Sequence, residues 1–323
     1  MKISVKKIID TLSIFGVLAV IPLSVAADLP DISSVKLVVP YPAGGNADSL
    51  ARVFADEMGK EMKKSFVVEN KGGAAGAIGA QQVARSKADG ATLLLAPAGV
   101  MTITPFLRQV NYNPFTDFEP IAKLSESIGI VAVRKDFPGS TLQDLVEYGR
   151  QNPGKITYGS AGQGTLTHLQ ALILAKKLGI GALHIPYKGS IEALNDLLGG
   201  RIDYQYDSVT LSNVVNGNLK ALAIPDSLKL PELKNVPTFS QQGIDLKTSS
   251  WFGVFAPANT PQSLIEEYEK AAQKVMSKPG MSERLLQFGQ IPAYLGTKDF
   301  ISQSNDDILL YENIIKENNI GLN

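Results

Sequence analysis

Val38-Val39-Pro40-Tyr41-Pro42-Ala43-Gly44-Gly45-Asn46-Ala47-Asp48 runs an apolar strand into a glycine turn that opens a helix, and this junction constrains the fold more than any other stretch. Such a turn presents free N–H groups and the positive end of a helix dipole, which attract a carboxylate or phosphate, and glycine lets the ligand approach the backbone. A second junction of the same kind follows the strand-like Ile156-Thr157-Tyr158, namely Gly159-Ser160-Ala161-Gly162-Gln163-Gly164-Thr165-Leu166-Thr167-His168-Leu169. Each taken singly fits equally well a βα turn that binds nothing. Two in one chain suggest a clamp on one anion.

Strand and helix signals alternate from Ser34 onward. Ser34 to Val39 reads as a buried strand, and Asp48 to Lys64 as an amphipathic helix with Leu50, Val53, Phe54, Met58 and Met62 on one face. The unit repeats with a strand at 66–69, the turn Gly72-Gly73-Ala74-Ala75-Gly76, a helix from Ile78 to Lys87 and a strand from Thr92 to Ala96. This is the pattern of a parallel sheet covered by helices. Two strands, 121–124 and 128–133, stand only three residues apart and read as a crossover into a second α/β set. That set runs through helix 142–151, strand 156–158, helix 166–178, strand 183–185, helix 191–198 and strand 203–206. Leu219 to Ile224 reads as the return crossing, which gives hinges at 123–128 and 219–225. Trp251 to Ala256 is a further strand, Thr260-Pro261 begins a helix to Met276, and Thr297 caps a last helix, Lys298 to Glu317. The expected architecture is therefore two doubly wound α/β domains joined by two crossing strands. Domain 1 comprises 28–124 plus 225–323, and domain 2 comprises 125–224.

The first 27 residues differ from the rest. Lys2, Lys6 and Lys7 precede the apolar run Leu12 to Val25, which ends in the small residues Val25-Ala26-Ala27, so residues 1–27 read as a signal peptide and the exported chain begins at Asp28. The alternative, an N-terminal membrane anchor, is disfavoured by the short core and Pro22. The chain has no cysteine, which excludes disulfides, thiolate metal sites and cysteine nucleophiles. Of its 31 basic and 31 acidic residues, three lysines and Asp10 lie in the signal, which leaves 28 against 30 and a net charge of about −2. Nucleic acid is an unsuitable partner for such a chain. Beyond the signal no apolar run approaches the roughly 20 residues a bilayer needs, so the expected location is the periplasm.

Several residues carry chemistry or local structure. Thr165 and Thr167 sit at a helix start, where a hydroxyl caps the helix or contacts a carboxylate; both roles stay open. His168 lies in the first turn, where the dipole disfavours its charged form, and reads as a residue that orients the loop. His184, between Leu183 and Ile185, reads as a core histidine. Asp207 follows strand 203–206 at a strand C-terminus, where open α/β sheets bind ligands, and is either a specificity residue or a cap before Ser208. Asp48 reads as an N-cap holding the first loop, and Ala96-Pro97-Ala98-Gly99 as a small apolar wall at the same sheet edge. No arginine occupies these loops, which favours backbone dipoles over ion pairs. No metal cluster and no acid/base pair is visible, and Tyr158-Gly159-Ser160-Ala161-Gly162 lacks the first glycine of a nucleophile elbow.

Taken together, Pro40-Tyr41-Pro42-Ala43-Gly44-Gly45 with Asp48 and Ala51-Arg52, Gly72 to Gly76, Gly159 to Gly162 with His168-Leu169, and Pro186-Tyr187-Lys188-Gly189 resemble the Bug family. These are the substrate-binding receptors of tripartite tricarboxylate transporters. The resemblance extends through Asp196 to Gly200, Gly217 to Ala223, Val236-Pro237-Thr238 and Trp251-Phe252-Gly253. It implies the type II periplasmic-binding-protein fold, and a receptor that binds small carboxylates between its domains and hands them to a membrane permease. It further implies that the loops at Tyr41–Gly45 and Gly159–His168 grip one carboxylate through N–H groups, hydroxyls and ordered water. Where many relatives have Pro-Thr, this chain has Asn46-Ala47, so one hydroxyl is missing at the mouth.

The expected ligand-binding set is Tyr41, Pro42, Ala43, Gly44, Gly45, Asn46, Asp48, Ala96, Ala98, Gly159, Ser160, Ala161, Gly162, Thr165, Thr167, His168 and Asp207, with no cofactor, metal or catalytic residue. The expected partners are a small mono- or dicarboxylic acid and the permease subunits, with the receptor itself a monomer that closes like a Venus flytrap. Two other functions fit the same fold: a co-receptor that presents the acid to a sensor kinase, and a secreted hydrolase or lyase.

Overall fold

The computed structural model describes residues 32–246, 250–317 and 320–321. The expected signal peptide lies outside the described residues. The first strand after it, β1 (Ser34–Val39), is followed by β2 (Ser65–Asn70), β3 (Thr92–Pro97) and β4 (Phe118–Ser127). The chain continues through β5 (Val131–Arg134), β6 (Ile156–Ser160), β7 (Ala182–Pro186), β8 (Tyr204–Tyr206) and β9 (Leu219–Ala223), and ends its strands with β10 (Trp251–Pro257) and β11 (Gln290–Gly296).

These strands form two sheets within the two-domain binding-protein fold, in the orders β11-β4-β10-β3-β1-β2 and β7-β6-β8-β5-β9. The βαβ units expected from the strand–turn–helix alternation make the parallel parts: β1 lies between β2 and β3, and β6 between β7 and β8. Each sheet is completed by antiparallel strands. β10 inserts between β3 and β4 in the first sheet, and β5 between β8 and β9 in the second. Strands read as near-continuous apolar runs because helices cover both faces. Helices 46–62 and 262–276 bury Phe54, Met58, Tyr268 and Val275 on one face of the first sheet. On the other face Val100, Phe255 and Phe300 pack around a fully buried Trp251.

The crossings depart from the expected hinges. Residues 123–127 belong to β4, whose register with β10 holds as far as Glu126, so the first crossing is confined to 128–130. There Ile128 N–H donates to the Gly289 carbonyl at 2.8 Å and Asp207 N–H to the Ile130 carbonyl at 3.1 Å. Leu219 to Ala223 does not leave the second domain, because it pairs with β5 as that sheet's edge strand. The stretch 225–246, expected in domain 1, likewise lies on the second sheet. Ile224 N–H donates to the Pro237 carbonyl and Phe239 N–H to the Ile224 carbonyl, and Leu228, Leu233 and Phe239 join that sheet's core. Burial of these apolar side chains binds the segment there.

Two expected caps also differ. Helix 262–276 starts after Pro261, and the Thr260 hydroxyl donates back to the Pro257 carbonyl at 2.7 Å. Thr297 is the first residue of helix 297–317, and its hydroxyl donates to the Ile121 carbonyl at 2.7 Å, tying the helix to β4.

Candidate functional site

The first loop leaves β1 at Val39 and turns at Gly44, whose φ of +89° suits a residue without a Cβ. Gly45 is the N-cap of helix 46–62. Asp48 is therefore at the third helical position rather than the N-cap, yet it holds the loop as expected: its carboxylate accepts from Gly44 N–H at 2.9 Å and from Arg52 Nε at 3.0 Å. Burial pushes the Asp48 pKa up, but the bonds from Arg52 and Gly44 outweigh it and the group sits below its ordinary value. The N–H groups of Gly45, Asn46 and Ala47 find no acceptor among the described residues and remain available at the helix start.

The second loop is internally knotted. Gly162 and Gly164 take φ of +127° and +80°. Thr165 caps helix 166–178, its hydroxyl donating to the Gly162 carbonyl at 2.7 Å and accepting from His168 N–H at 3.4 Å. The Thr167 hydroxyl accepts from Ala161 N–H at 3.0 Å, the Ser160 hydroxyl from Gly162 N–H at 3.1 Å, and His168 Nδ1 from Gly164 N–H at 3.2 Å. The N–H groups of Ala161 and Gly162, both in the expected ligand-binding set, and that of Gly164 are thus already bonded, while those of Gln163, Leu166 and Thr167 have no acceptor among the described residues.

Behind this loop the two histidines stack, His168 on His184 at 4.0 Å and His184 on Tyr158 at 5.0 Å between ring centroids. Burial lowers the pKa of His168 to about 4 and, with the neighbouring His168, that of His184 to about 3. Both rings are neutral at pH 7, which frees His168 Nδ1 to accept from Gly164 and sets His184 Nε2 2.7 Å from Ser160 Oγ.

The two loops meet at a cavity of about 170 Å³, well below the volume of a drug-sized site. Of the expected set, Tyr41, Pro42, Ala43, Gly45, Asn46, Ala161, Thr165, Thr167 and Asp207 line it. Gly44, Asp48, Gly159, Ser160 and His168 do not line it, and Gly162 lines an adjoining cavity instead. Ala96 and Ala98 do not reach the cavity: both are fully buried in the core beneath it, and the residue between them, Pro97, forms the wall instead. The cause is the alternation of neighbouring side chains at the end of β3.

Several lining residues went unread in the sequence. Ser190 and Glu192 stand at the start of helix 190–198, after β7 and Gly189, a third junction of the strand–glycine–helix kind. The Pro186-Tyr187-Lys188-Gly189 motif carried that signal. Ser127, Ser208 and Ser250 also reach the cavity and no local pattern marks them, whereas Phe252 reaches it from the Trp251-Phe252-Gly253 motif at the start of β10.

Asp207 accepts from the Ser190 hydroxyl at 2.5 Å and from Val209 N–H at 3.1 Å, and burial raises its pKa despite these bonds. It caps the short turn 208–210, so the capping reading holds while its carboxylate still lines the cavity. The Asn46 side-chain amide hydrogen-bonds the Ser208 hydroxyl at 2.6 Å, joining the domains across the site. No lysine or arginine lines the cavity. Among the described residues no group of three or more His, Asp or Glu side chains is placed to hold a metal.

Comparison with known proteins places this geometry. Residues 50–320 match the tripartite tricarboxylate transporter family receptor, and the chain belongs to that family. A relative from Pseudomonas sp. strain P51, a UPF0065 protein in the tcbD-tcbE intergenic region, is 34% identical over 258 residues, 78% of this chain and 76% of its own. The structure of the periplasmic binding protein BugD is 34% identical and superposes with a TM-score of 0.83 over 89% of this chain and 98% of that one. Rpa4515 of R. palustris, solved with adipate, is 30% identical with a TM-score of 0.84 over 90% and 98%.

Proposed function

We propose that this chain is a periplasmic receptor that closes on a small mono- or dicarboxylate and delivers it to the membrane subunits of a tripartite tricarboxylate-type transporter. The observation that carries this reading is the convergence of unbonded N–H donors from Gly45, Asn46 and Ala47 with those of Leu166 and Thr167 on one small cavity without a cation. Such donors suit an anionic acceptor whose charge they stabilise without an ion pair, an arrangement that also permits release. Family membership supports the assignment, as does the adipate held by the R. palustris relative. The export signal read at 1–27 and the periplasmic relatives support a periplasmic location.

Isothermal calorimetry on acid and amide pairs tests it. Adipate and hexanoate are suitable acids, and amidation should abolish the binding of any acid that binds. Equal affinities for an acid and its amide would overturn the reading. Mass spectrometry of exported protein should find a chain beginning at Asp28; an intact N-terminus in the membrane fraction would refute the export step.

A further inference from the structure

A second cavity, of about 610 Å³, adjoins the first and shares Tyr41, Pro42 and Ala161 with it. Two motifs that the first cavity leaves largely unexplained converge on it, Gly72-Gly73-Ala74-Ala75-Gly76 and Pro186-Tyr187-Lys188. Ala74 and Ala75 both lie in the left-handed region, with φ of 50° and 55°, and strain of that kind gathers where function requires it. Charge is segregated between the two cavities. The first is lined by the carboxylates Asp207 and Glu192 and no cation, the second by Arg108 and Lys188 and no carboxylate. Neither cation has an ion-pair partner among the described residues. Arg108 Nη2 donates to the Gln163 carbonyl at 2.8 Å, which fixes the guanidinium beside the second loop, while its buried Nε has no acceptor. A guanidinium held in place by one bond and lining the cavity offers its remaining donors to a carboxylate that enters beside it.

We propose that Arg108 and Lys188 form a second anion subsite, so that the receptor prefers acids with two carboxylates, one on the helix N-termini and the other on these cations. The inference rests on the carboxylate-receptor reading and adds its substrate class. A bonded charge of this kind gives about tenfold or more in affinity.

The test compares hexanoate with adipate, and the monoacid octanoate with suberate, by calorimetry on the full mature receptor, in wild type, Arg108→Met and Lys188→Met. At least one diacid should bind wild type about tenfold more tightly than its monoacid, and each substitution should collapse that ratio toward one. Circular dichroism checks the fold, and Lys188→Met, at an exposed position, serves if Arg108→Met does not fold. Equal losses for monoacid and diacid would overturn the subsite, because Arg108 would then act only through Gln163, or both cations only through long-range steering. A wild-type ratio near one would overturn it as well while leaving the receptor reading intact. Failure of every acid to bind would overturn both.

Discussion

Gly45 and Thr165 occupy equivalent N-cap positions and do different work. Gly45 has φ of −80°, and a Cβ built there would meet only the Pro42 carbonyl, at 4.0 Å. Gly45→Val should therefore fold normally while its side chain obstructs the cavity. Thr165→Ala removes one hydroxyl bonded to Gly162 and His168, a loss of about 1 kcal/mol. Calorimetry with a cognate acid should show the larger affinity loss for Gly45→Val, and normal binding by that variant would remove the first loop from the site.

The histidine pair gives a pH signature. Folded-state values near 4 and 3, against an ordinary 6.5, mean that the unfolded chain binds more protons below about pH 6.5, so stability falls as pH drops from there toward 4. Asp207 opposes this, since its raised value favours proton uptake by the folded state. Urea midpoints between pH 6.5 and 4.5 should therefore decline less steeply in His184→Gln than in wild type; parallel slopes would refute the neutral pair. At this scale the sequence was legible wherever local chemistry decides. The glycine turns, the Thr165 cap and the loop-orienting His168 follow from neighbours within four residues. Which N–H groups were already bonded depends on how the second loop folds back on itself, and that Pro97 rather than Ala96 or Ala98 forms the wall depends on which side of the end of β3 faces the core.

Among the elements, β10 carries the most structural weight, because it lies between β3 and β4 and contributes both Trp251 and Phe252. Trp251 Nε1 donates to Asp307 at 2.7 Å, and Gly253 makes room for Phe300: a Cβ there would stand 2.3 Å from the ring. Gly253→Ala should destabilise the protein by about 1–3 kcal/mol through overpacking, seen as a lower urea midpoint with unchanged slope. A midpoint equal to wild type would show that Phe300 moves aside freely. The Trp251–Ala256 strand was readable as an apolar run, as were the βαβ strands. β11 was not, because Pro292 and a register shift against β4 break its pattern; a proline is tolerated there since β11 lies at the sheet edge. The misread return crossing has a similar cause. Leu219 to Ile224 is apolar enough for a buried central strand, and only its pairing with β5 makes it an edge.

At the scale of the molecule, the two domains meet over the cavity through polar contacts and beside it through an apolar cluster that joins helix 166–178 to helix 297–317. Ser127 and Ser208 hydroxyls lie 2.6 Å apart, Asn46 reaches Ser208, and Arg108 reaches Gln163. The neutral bonds add about 0.5–1.5 kcal/mol each against water and the Arg108 bond about 1.5–3 kcal/mol. Beside them Leu169 and Ile173 of helix 166–178 bury apolar surface against Ile103, Leu107, Tyr311 and Ile315, so a bound acid adds to contacts that already favour the closed form. An acid that touches the N-termini of helices 46–62 and 166–178 together makes its full set of bonds only when the domains are closed, and this difference in affinity drives closure. Taking the population from about 1:99 to 99:1 requires roughly a 10⁴-fold preference, or about 5.5 kcal/mol. A charged group shared between two sets of N–H donors can supply that much, since each charge-assisted bond contributes about 1.5–3 kcal/mol. The narrow crossing at 128–130, with bare Gly129 beneath the Tyr206 ring, is the natural pivot. Small-angle scattering should accordingly record a radius of gyration that falls when a saturating cognate acid is added. Thr167→Ala, which frees the Ala161 N–H and loosens the second loop, should raise the acid concentration needed for the change without altering the unliganded radius. A radius unchanged at saturation would mean that the receptor is closed before it binds, or that one domain alone holds the acid, and closure by the ligand would have to be abandoned.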